Sequence, residues 1–374
     1  MTVVAVRNVI KSYDGAPALN GLDFETREGE FFVLLGPSGA GKTTTLKVIA
    51  GLEDPDAGEV IFDGQVINTV PPNERPVGMT FESYALYPHF SVFENLANPL
   101  RAPGRKLPAA EIRNRVDKIA KILRIDHLYH RRPGELSGGQ KQRVSLGRTM
   151  IREPAVYLMD EPLSHVDAKI RFELRIQFHR LEALRNCTTI YVTHDYVEAL
   201  SLGDRIAIID TGQIVQVGTP KQIYHQPKNV FVARMVGQPH INLLDAALEV
   251  NGNEASLIIS QGGFSIPLSA KLRQILEQVN APQELTVGIR PMDISINSEA
   301  QKATARVRSD VFEPFGSLGL LAVKAQDIYL ELLLDPDLTV EPDSPLGVDF
   351  RADRLIFFDP DSQNNLLWNE DYNG

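Results

Sequence analysis

The chain has 374 residues, 43% apolar and 23% charged, with a net charge of −10, which allows two or three ordinary globular domains. No apolar run is long enough to span a bilayer as a helix, and "MTVVAVRNVIKSYDG" lacks the pattern of a signal peptide, so any membrane role is expected at the surface. Residues 240–374 hold 9 Lys and Arg against 21 Asp and Glu, leaving 29 against 27 before them; the C-terminal part therefore carries no basic footprint for nucleic acid, and the near-neutral N-terminal part can hold a polyanion.

"EFFVLLG" (30–36) is a short continuous apolar run, as expected of a strand buried on both faces of a parallel sheet. "EVIFDGQVI" follows with Asp63-Gly64, a hairpin signal. Between residues 91 and 154 the pattern turns helical, with Ile112, Val116, Ile119 and Leu123 on one stripe. "AVYLMD" (155–160) is a second buried strand, and residues 166–185 form an expected helix with Ile170, Leu174, Phe178 and Leu181 on one face. "TTIYVTHD" (188–195) is a third strand, preceded by Cys187, the single cysteine, expected to be a buried inert thiol in a reducing cytoplasm. "RIAIIDTGQIVQVG" carries a hairpin turn at Asp210-Thr211-Gly212. The first 239 residues thus read as a parallel-sheet α/β core with an inserted helical subdomain over about 91–154. From residue 240 to 374 short strands dominate, with one helix at "SAKLRQILEQV", which predicts a small β-barrel domain. The polar tail "DSQNNLLWNEDYNG" is expected to fray, with Trp368 as the residue able to pack back.

Chemistry concentrates in the first part. "GPSGAGKT" (Gly36, Pro37, Ser38, Gly39, Ala40, Gly41, Lys42, Thr43) fits G-x-x-x-x-G-K-[ST], between an apolar strand and a helix that opens at Thr44 and closes at Gly51. Glycines let backbone N–H groups turn inward around phosphate oxygens, and the helix N-terminus adds the positive end of its dipole. Lys42 is expected to reach the β- and γ-phosphates, and the Thr43 hydroxyl to ligate Mg²⁺. In "VYLMDEP", Asp160 ends a buried strand where it can hold Mg²⁺ through its shell, and Glu161 stands next to it, placed to polarise water for attack on the γ-phosphate. "LSGGQKQR" (136–143) supplies Ser137, Gly138, Gly139 and Gln140 as a second helix N-terminus suited to phosphate, ahead of "VSLGRTMI".

With these residues in place, the chain resembles the ATP-binding cassette family: a P-loop NTPase fold with an inserted helical subdomain. "LSGGQ" looks like the family signature, "LSHVDA" (163–168) like its D-loop, and His194 in "VTHD" like its switch histidine. Tyr13 in "KSYDG" falls where that family stacks an aromatic on adenine, and "GMTFESYALYPH" falls where it carries the Q-loop. "VGTPKQIYHQPKNVFVARMVGQPHINLLDA" (217–246) and "VGIRPMDI" (287–294) are similar to the carbohydrate-importer branch, whose maltose and glycerol-phosphate ATPases carry a C-terminal OB-like barrel with regulatory and dimerisation roles. The resemblance implies ATP and Mg²⁺ as cofactors. It also implies a second ATPase subunit whose nucleotide is met by Ser137, Gly138, Gly139 and Gln140. Two transmembrane permease subunits would be contacted near Tyr84, Leu86, Tyr87, Pro88 and His89, and a periplasmic or lipid-anchored solute-binding protein would act indirectly. The place would be the cytoplasmic face of the inner membrane.

The sequence departs from that pattern at Glu82, where the family usually has Gln, and at His165-Val166, where the branch usually has Asn-Leu. Glu82 joins Thr43 and Asp160 as an expected Mg²⁺ ligand. The expected function is ATP hydrolysis driving uptake of a carbohydrate, polyol or sugar phosphate, with Glu161 and His194 catalytic. A soluble cassette ATPase of DNA repair or translation is the rival, disfavoured by the permease-type Q-loop and the acidic C-terminal part. A C-terminal barrel that docks a cytosolic regulator is compatible with transport.

Overall fold

The computed structural model describes every residue except 1, 82, 102–106, 181–186, 316–317 and 370–374. The chain divides into two compact units, Met1–Pro220 and Lys221–Gly374. The first runs β1 (Val4–Tyr13), β2 (Ala16–Glu25), β3 (Phe31–Leu35), α1 (Lys42–Ala50), β4 (Ala57–Phe62), β5 (Gln65–Val66), β6 (Val77–Thr80), α2 (Val92–Ala97), α3 (Ala109–Ile122), α4 (Gly138–Met150), β7 (Val156–Asp160), α5 (Ala168–Arg180), β8 (Thr188–Thr193), α6 (Tyr196–Leu202), β9 (Arg205–Asp210) and β10 (Gln213–Gly218).

Two sheets share its core. An antiparallel sheet has the order β2-β1-β4-β5, and a six-stranded sheet has the order β10-β9-β3-β8-β7-β6, parallel except at β10. Strand alternation sends Phe32 and Leu34 of β3 into one shared cluster with Val4, Val6 and Phe24 of the antiparallel sheet and Leu46 and Ile49 of α1. Phe24 and Phe32 stack at 5.1 Å between ring centroids, joining the two sheets. The three expected parallel strands are β3, β7 and β8, and β3 lies between β8 and β9. This arrangement brings the loops that follow β3, β7 and β8 to the carboxyl ends of neighbouring strands, where open α/β sheets bind ligands.

Both expected hairpins form. Asp63 and Gly64 have φ of 48° and 79° in the β4–β5 turn, and Thr211 and Gly212 have 45° and 76° in the β9–β10 turn, which is the left-handed pair such a tight turn needs. Ile112, Val116, Ile119 and Leu123 are all buried, and α4 packs against α2, α3 and β6. On α5, Leu174 and Phe178 are buried and Ile170 is half-buried, while Leu181 lies outside the described residues. Cys187 is buried, its thiol donates to Pro154 O and Ala155 O, and burial pushes it up to about 11.

The second unit takes up α7 (Pro220–His225) just past its first residue and continues with α8 (Val230–Met235), β11 (Asn242–Asn251), β12 (Glu254–Ile259), β13 (Phe264–Leu268), α9 (Ala270–Gln278), β14 (Glu284–Ile289), β15 (Ile294–Asn297), β16 (Ala305–Phe315), β17 (Leu318–Ala325), β18 (Ile328–Leu334), β19 (Pro345–Phe350) and β20 (Ile356–Phe358). Its strands form two five-stranded antiparallel sheets, β13-β12-β11-β14-β20 and β15-β19-β16-β17-β18, around one apolar core that includes Leu257, Val287, Leu321, Leu332, Val348 and Phe357. Asn242 of β11 crosses between them: its side chain donates to Glu331 O at 2.9 Å and accepts from Glu331 N at 2.8 Å, on β18.

The tail is more firmly held than expected. Val230 N donates to Gln363 O, Asn365 N to Lys228 O, and the Asn365 side chain to Pro227 O, while Leu366 and Leu367 pack on the core. Trp368 is half-buried, and its amide donates to Asn365 O. Of the tail, residues 370–374 lie outside the description.

Candidate functional site

The glycines of "GPSGAGKT" are fixed by space and by backbone angle. A Cβ on Gly36 would lie 2.3 Å from Ile209 O, and one on Gly41 2.5 Å from Ala18 O; Gly39 and Gly41 have φ of 81° and 100°. The loop after β3 can take this path only without side chains at those places. It delivers Lys42 as the first residue of α1, 6% exposed, with its ammonium donating to Pro37 O at 3.0 Å across the loop. A cation arched over its own loop at a helix N-terminus suits a polyphosphate.

Two further loops converge on this one, after β7 and after β8. Asp160 ends β7, is 3% exposed, and accepts from the Thr43 hydroxyl at 3.0 Å. Glu161 follows with φ 42°, its amide donating to Val192 O at 3.0 Å on β8. That uncommon angle for a side-chain-bearing residue turns its carboxylate back over the sheet edge. One oxygen of Glu161 is 2.9 Å from His194 Nδ1 and the other is 3.7 Å from Lys42 Nζ. His194 comes from the end of β8 and is half exposed. Thr43, Asp160, Lys42, Glu161 and His194 are therefore brought together as the sequence predicts.

The set fits a nucleotide with Mg²⁺. Among the described residues no cluster of three or more His, Cys, Asp or Glu forms a metal site. A hydroxyl and one carboxylate are nonetheless the sparse oxygen set that Mg²⁺ uses when substrate phosphates and water complete its shell. Glu82, the third expected ligand, lies outside the described residues. Tyr13 ends β1 and is 39% exposed, with Lys11 Nζ over one face of its ring, 5.6 Å from the ring centre.

Ser137, Gly138, Gly139 and Gln140 do not face that phosphate loop in their own chain. Ser137 caps α4 by accepting from Gln140 N, and the Gln140 side chain accepts from Ser137 N in return. The neighbours of Gly138 and Gly139 are Tyr84 and His165: a Cβ on Gly139 would lie 2.9 Å from His165 O. The cap leaves this helix end exposed at Ser137 and Gly138.

The aromatic stretch does not fill the core. Tyr87, Pro88 and His89 are exposed, and Tyr84 and Leu86 are half-buried. Asn95, fully buried on α2, shapes the loop from beneath: it accepts from Tyr87 N at 2.9 Å and donates to Tyr87 O, Phe90 O and Ser91 O. Arg148 of α4 donates to Ala85 O and stacks 4.4 Å from the Tyr87 ring centre. Burial lowers the Arg148 guanidinium, whose stem is covered here.

Sequence reading did not find Asn95, Gln142, Arg148 or Arg171: Gln142 and Arg148 act on backbone far along the chain, and Asn95 and Arg171 on loop backbone shortly before them that only the fold turns toward their side chains. Arg171 of α5 donates to Ser164 O and Val166 O and pairs with Asp195 at 3.3 Å. Gln142 bonds the segment 161–165. The available signal was polarity on helix faces that otherwise read as inward.

Comparison with known proteins agrees with this geometry. Residues 19–164 match the family described as ABC transporter, and residues 237–294 match the MalK OB fold domain. The chain is 41% identical over 366 residues to the sulfoquinovosyl glycerol transport ATP-binding protein SmoE of Agrobacterium fabrum, covering 98% of this chain and 100% of that one. It is 40% identical over 360 residues to the sn-glycerol-3-phosphate import ATP-binding protein UgpC 2 of the same organism, covering 96% and 93%. Among solved structures, a dimeric ATP-binding cassette in a post-hydrolysis state bound to ADP and Pi aligns at a TM-score of 0.54 and 30% identity, over 58% of this chain and 98% of that one.

Proposed function

The chain belongs to the ABC transporter family, in the branch that carries a MalK-type OB domain, and from that premise we propose that it is the ATP-hydrolysing subunit of an importer for a carbohydrate, polyol or sugar phosphate. The observation that carries the reading is the Glu161 carboxylate held between His194 and Lys42 beside the Thr43–Asp160 pair. Full-length likeness to import subunits for sulfoquinovosyl glycerol and glycerol phosphate supports the solute class.

In the proposed reaction a water attacks the γ-phosphorus in line, the bond from that phosphorus to the β–γ bridging oxygen breaks, and ADP and phosphate leave. Glu161 orients the water and takes its proton. Its other partner, His194, donates toward the γ-phosphate oxygens, and Lys42 neutralises charge on the β- and γ-phosphates. Mg²⁺ would be held by Thr43 and, through its shell, Asp160, with Glu82 as a further ligand, and would supply charge neutralisation. Tyr13 would stack on adenine. Glu161→Gln is expected to keep ATP affinity while turnover falls about 10²–10⁴-fold, the usual worth of general base assistance. Near-normal turnover would remove Glu161 from this role.

The exposed signature end of α4 would meet the nucleotide of a second ATPase subunit, so each chain holds half of two sites. The domain division would fall near residue 240, with a first domain over 1–239 and a regulatory or dimerising domain over 240–374. Tyr84, Leu86, Tyr87, Pro88 and His89 would face two transmembrane permease subunits from the cytoplasmic side of the inner membrane, and a solute-binding protein would act through them. No described helix is long and apolar enough to cross a membrane itself. Exposure of the aromatic loop over a fully buried Asn95 supports this assignment. Tyr87→Ala is expected to weaken assembly with the permease by about 2 kcal/mol with ATP affinity unchanged, as for an interface aromatic. Loss of ATP binding together with unfolding would make Tyr87 a structural residue instead.

A further inference from the structure

Gln142 lies on α4, one turn beyond Gly139, and is 2% exposed. A primary amide offers two N–H donors and one carbonyl acceptor, and both ends of this one are engaged by the loop after β7. Nε2 donates to Glu161 O at 2.8 Å and to Ser164 Oγ at 3.1 Å, and Oε1 accepts from His165 N at 2.9 Å. The orientation of the amide is fixed by its partners, because a carbonyl can only accept and a backbone N–H can only donate. The Ser164 hydroxyl in turn donates to Glu161 O at 3.0 Å.

We propose that Gln142 is a positioning residue that links the two half-sites of one chain: it ties the signature end of α4, which meets the second subunit's nucleotide, to the backbone of Glu161, which acts on the chain's own. The proposal rests on the reading of Glu161 and of the signature given above. Three observations carry it. Glu161 holds a left-handed backbone angle of 42°, and such an angle persists only where surroundings over-determine it. Its carbonyl is held by Gln142 and Ser164, and its amide by Val192 O.

The second observation is contact without slack. The Gly139 Cα faces His165 O so closely that a Cβ would lie 2.9 Å away, so the first turn of α4 cannot advance on the loop without moving it. The third is an anchor on the far side. Arg171 donates to Ser164 O at 3.3 Å and Val166 O at 3.1 Å, and to Asp195 at 3.3 Å, the residue after His194. Pressure on the signature end is thus delivered to the loop that aims Glu161, while the segment bearing His194 holds that loop from behind. Each chain would register its partner's nucleotide at its own carboxylate.

The test uses the full-length chain, with turnover measured against ATP concentration, binding of a fluorescent ATP analogue, and thermal unfolding. Gln142→Met keeps the length of the side chain and removes every bond. Turnover at saturating ATP is expected to fall about 10–10²-fold, since small misplacements of a reacting group cost that much. Analogue affinity should change less than about twofold, and the Hill coefficient should fall from its wild-type value toward about 1. Ser164→Ala, which leaves the amide in place, should shift both readouts in the same direction by less, and Gln142→Glu, which keeps the acceptor for His165 N but sets a buried carboxylate against Glu161 O, by at least as much. Unchanged turnover and cooperativity in Gln142→Met would overturn the link. So would affinity and melting temperature falling in step with turnover in all three variants, which would mark a structural amide. Glu161→Gln is measured beside them: normal hydrolysis there would overturn the reading of Glu161 itself, whereas a dead Glu161→Gln beside an unaltered Gln142→Met overturns the link alone.

Discussion

Glu198 in the first unit and Asp349 in the second are displaced in opposite directions by their surroundings. Glu198 is 2% exposed on α6, and burial raises it, although the Tyr191 and Thr193 hydroxyls donate to it at 2.7 and 2.9 Å. Those two donors share one oxygen, and Arg171 Nε stands 3.9 Å from the other. Burial acts to raise Asp349 too, but the Thr304 amide, the Thr304 hydroxyl and the Asn297 amide outweigh it and hold the carboxyl low. The lesson is one of use. Donors in the second unit saturate a carboxylate that fastens β15 and β19 together at the entrance to β16. In the first unit, polar groups are buried around loops that carry chemistry, among them Lys42, Asp160, Gln142 and Glu198, and at Glu198 burial outweighs the donors. Incomplete compensation is a cost that functional sites commonly retain.

If that contrast is right, replacements in the first unit should cost activity and those in the second should cost stability. The largest effect is expected for Lys42→Ala, which removes the cation over the phosphate loop. Turnover should fall about 10²–10³-fold, the usual worth of one electrostatic donor at a transition state. The single tryptophan, Trp368, lies in the second unit, so its fluorescence reports that unit's unfolding, and Lys42→Ala should leave the signal where it was. A shifted Trp368 transition would break the contrast.

Next comes Asn242→Leu. It leaves Glu331 N and O without the side-chain partner that joins the two sheets, and the second unit should lose about 1–3 kcal/mol, read by denaturant titration of Trp368 fluorescence. Affinity for an ATP analogue should be unchanged; a matching loss of nucleotide binding would tie this amide to the first unit's chemistry.

The smallest effects are in pH. The fold holds the Glu198 proton longer than the unfolded chain does. Its stabilising share is therefore full below the ordinary value of 4.5 and is lost as pH rises through the raised folded value. Asp349 behaves inversely: its share is present above the ordinary value of 3.8 and is lost as pH falls through the lowered folded value. Glu198→Gln should flatten the first loss, followed by circular dichroism, and Asp349→Asn the second, followed by Trp368. Both variants showing the same sign would mean that burial, not donor count, governs the two sites alike.

Legibility divided along similar lines. The phosphate loop, both hairpins and the three parallel strands could be read because each is encoded within a few residues: a glycine spacing, an Asp-Gly pair, a continuous apolar run. The antiparallel sheet built on β1 could not. Asn8 sits at φ 48° and the β1–β2 register shifts repeatedly, so "VAVRNVIKSY" lacks the strict alternation that marks a strand. In the second unit the strands were visible but their division into two sheets was not, since β14 pairs with β20 and β16 with β19 across long stretches of chain. Gln142 was illegible for the same reason. Its partners lie 19 to 23 residues onward, and only the fold brings them near. Glu161 was legible as an acid beside Asp160, but its turned backbone was not, because no local residue demands it.

The end of the described chain bonds to the start of its own unit, at Val230 with Gln363, Lys228 with Asn365 and Pro227 with the Asn365 side chain. In mechanical terms the unit enters and leaves through one doorway. Tension applied between its two ends would load those few bonds one after another, as a zip is opened, rather than shearing whole strands together. The tail would peel away at low force while the two sheets behind it stayed intact, so a pull on this unit would be felt first at residues 359–369, next to the single tryptophan able to report it.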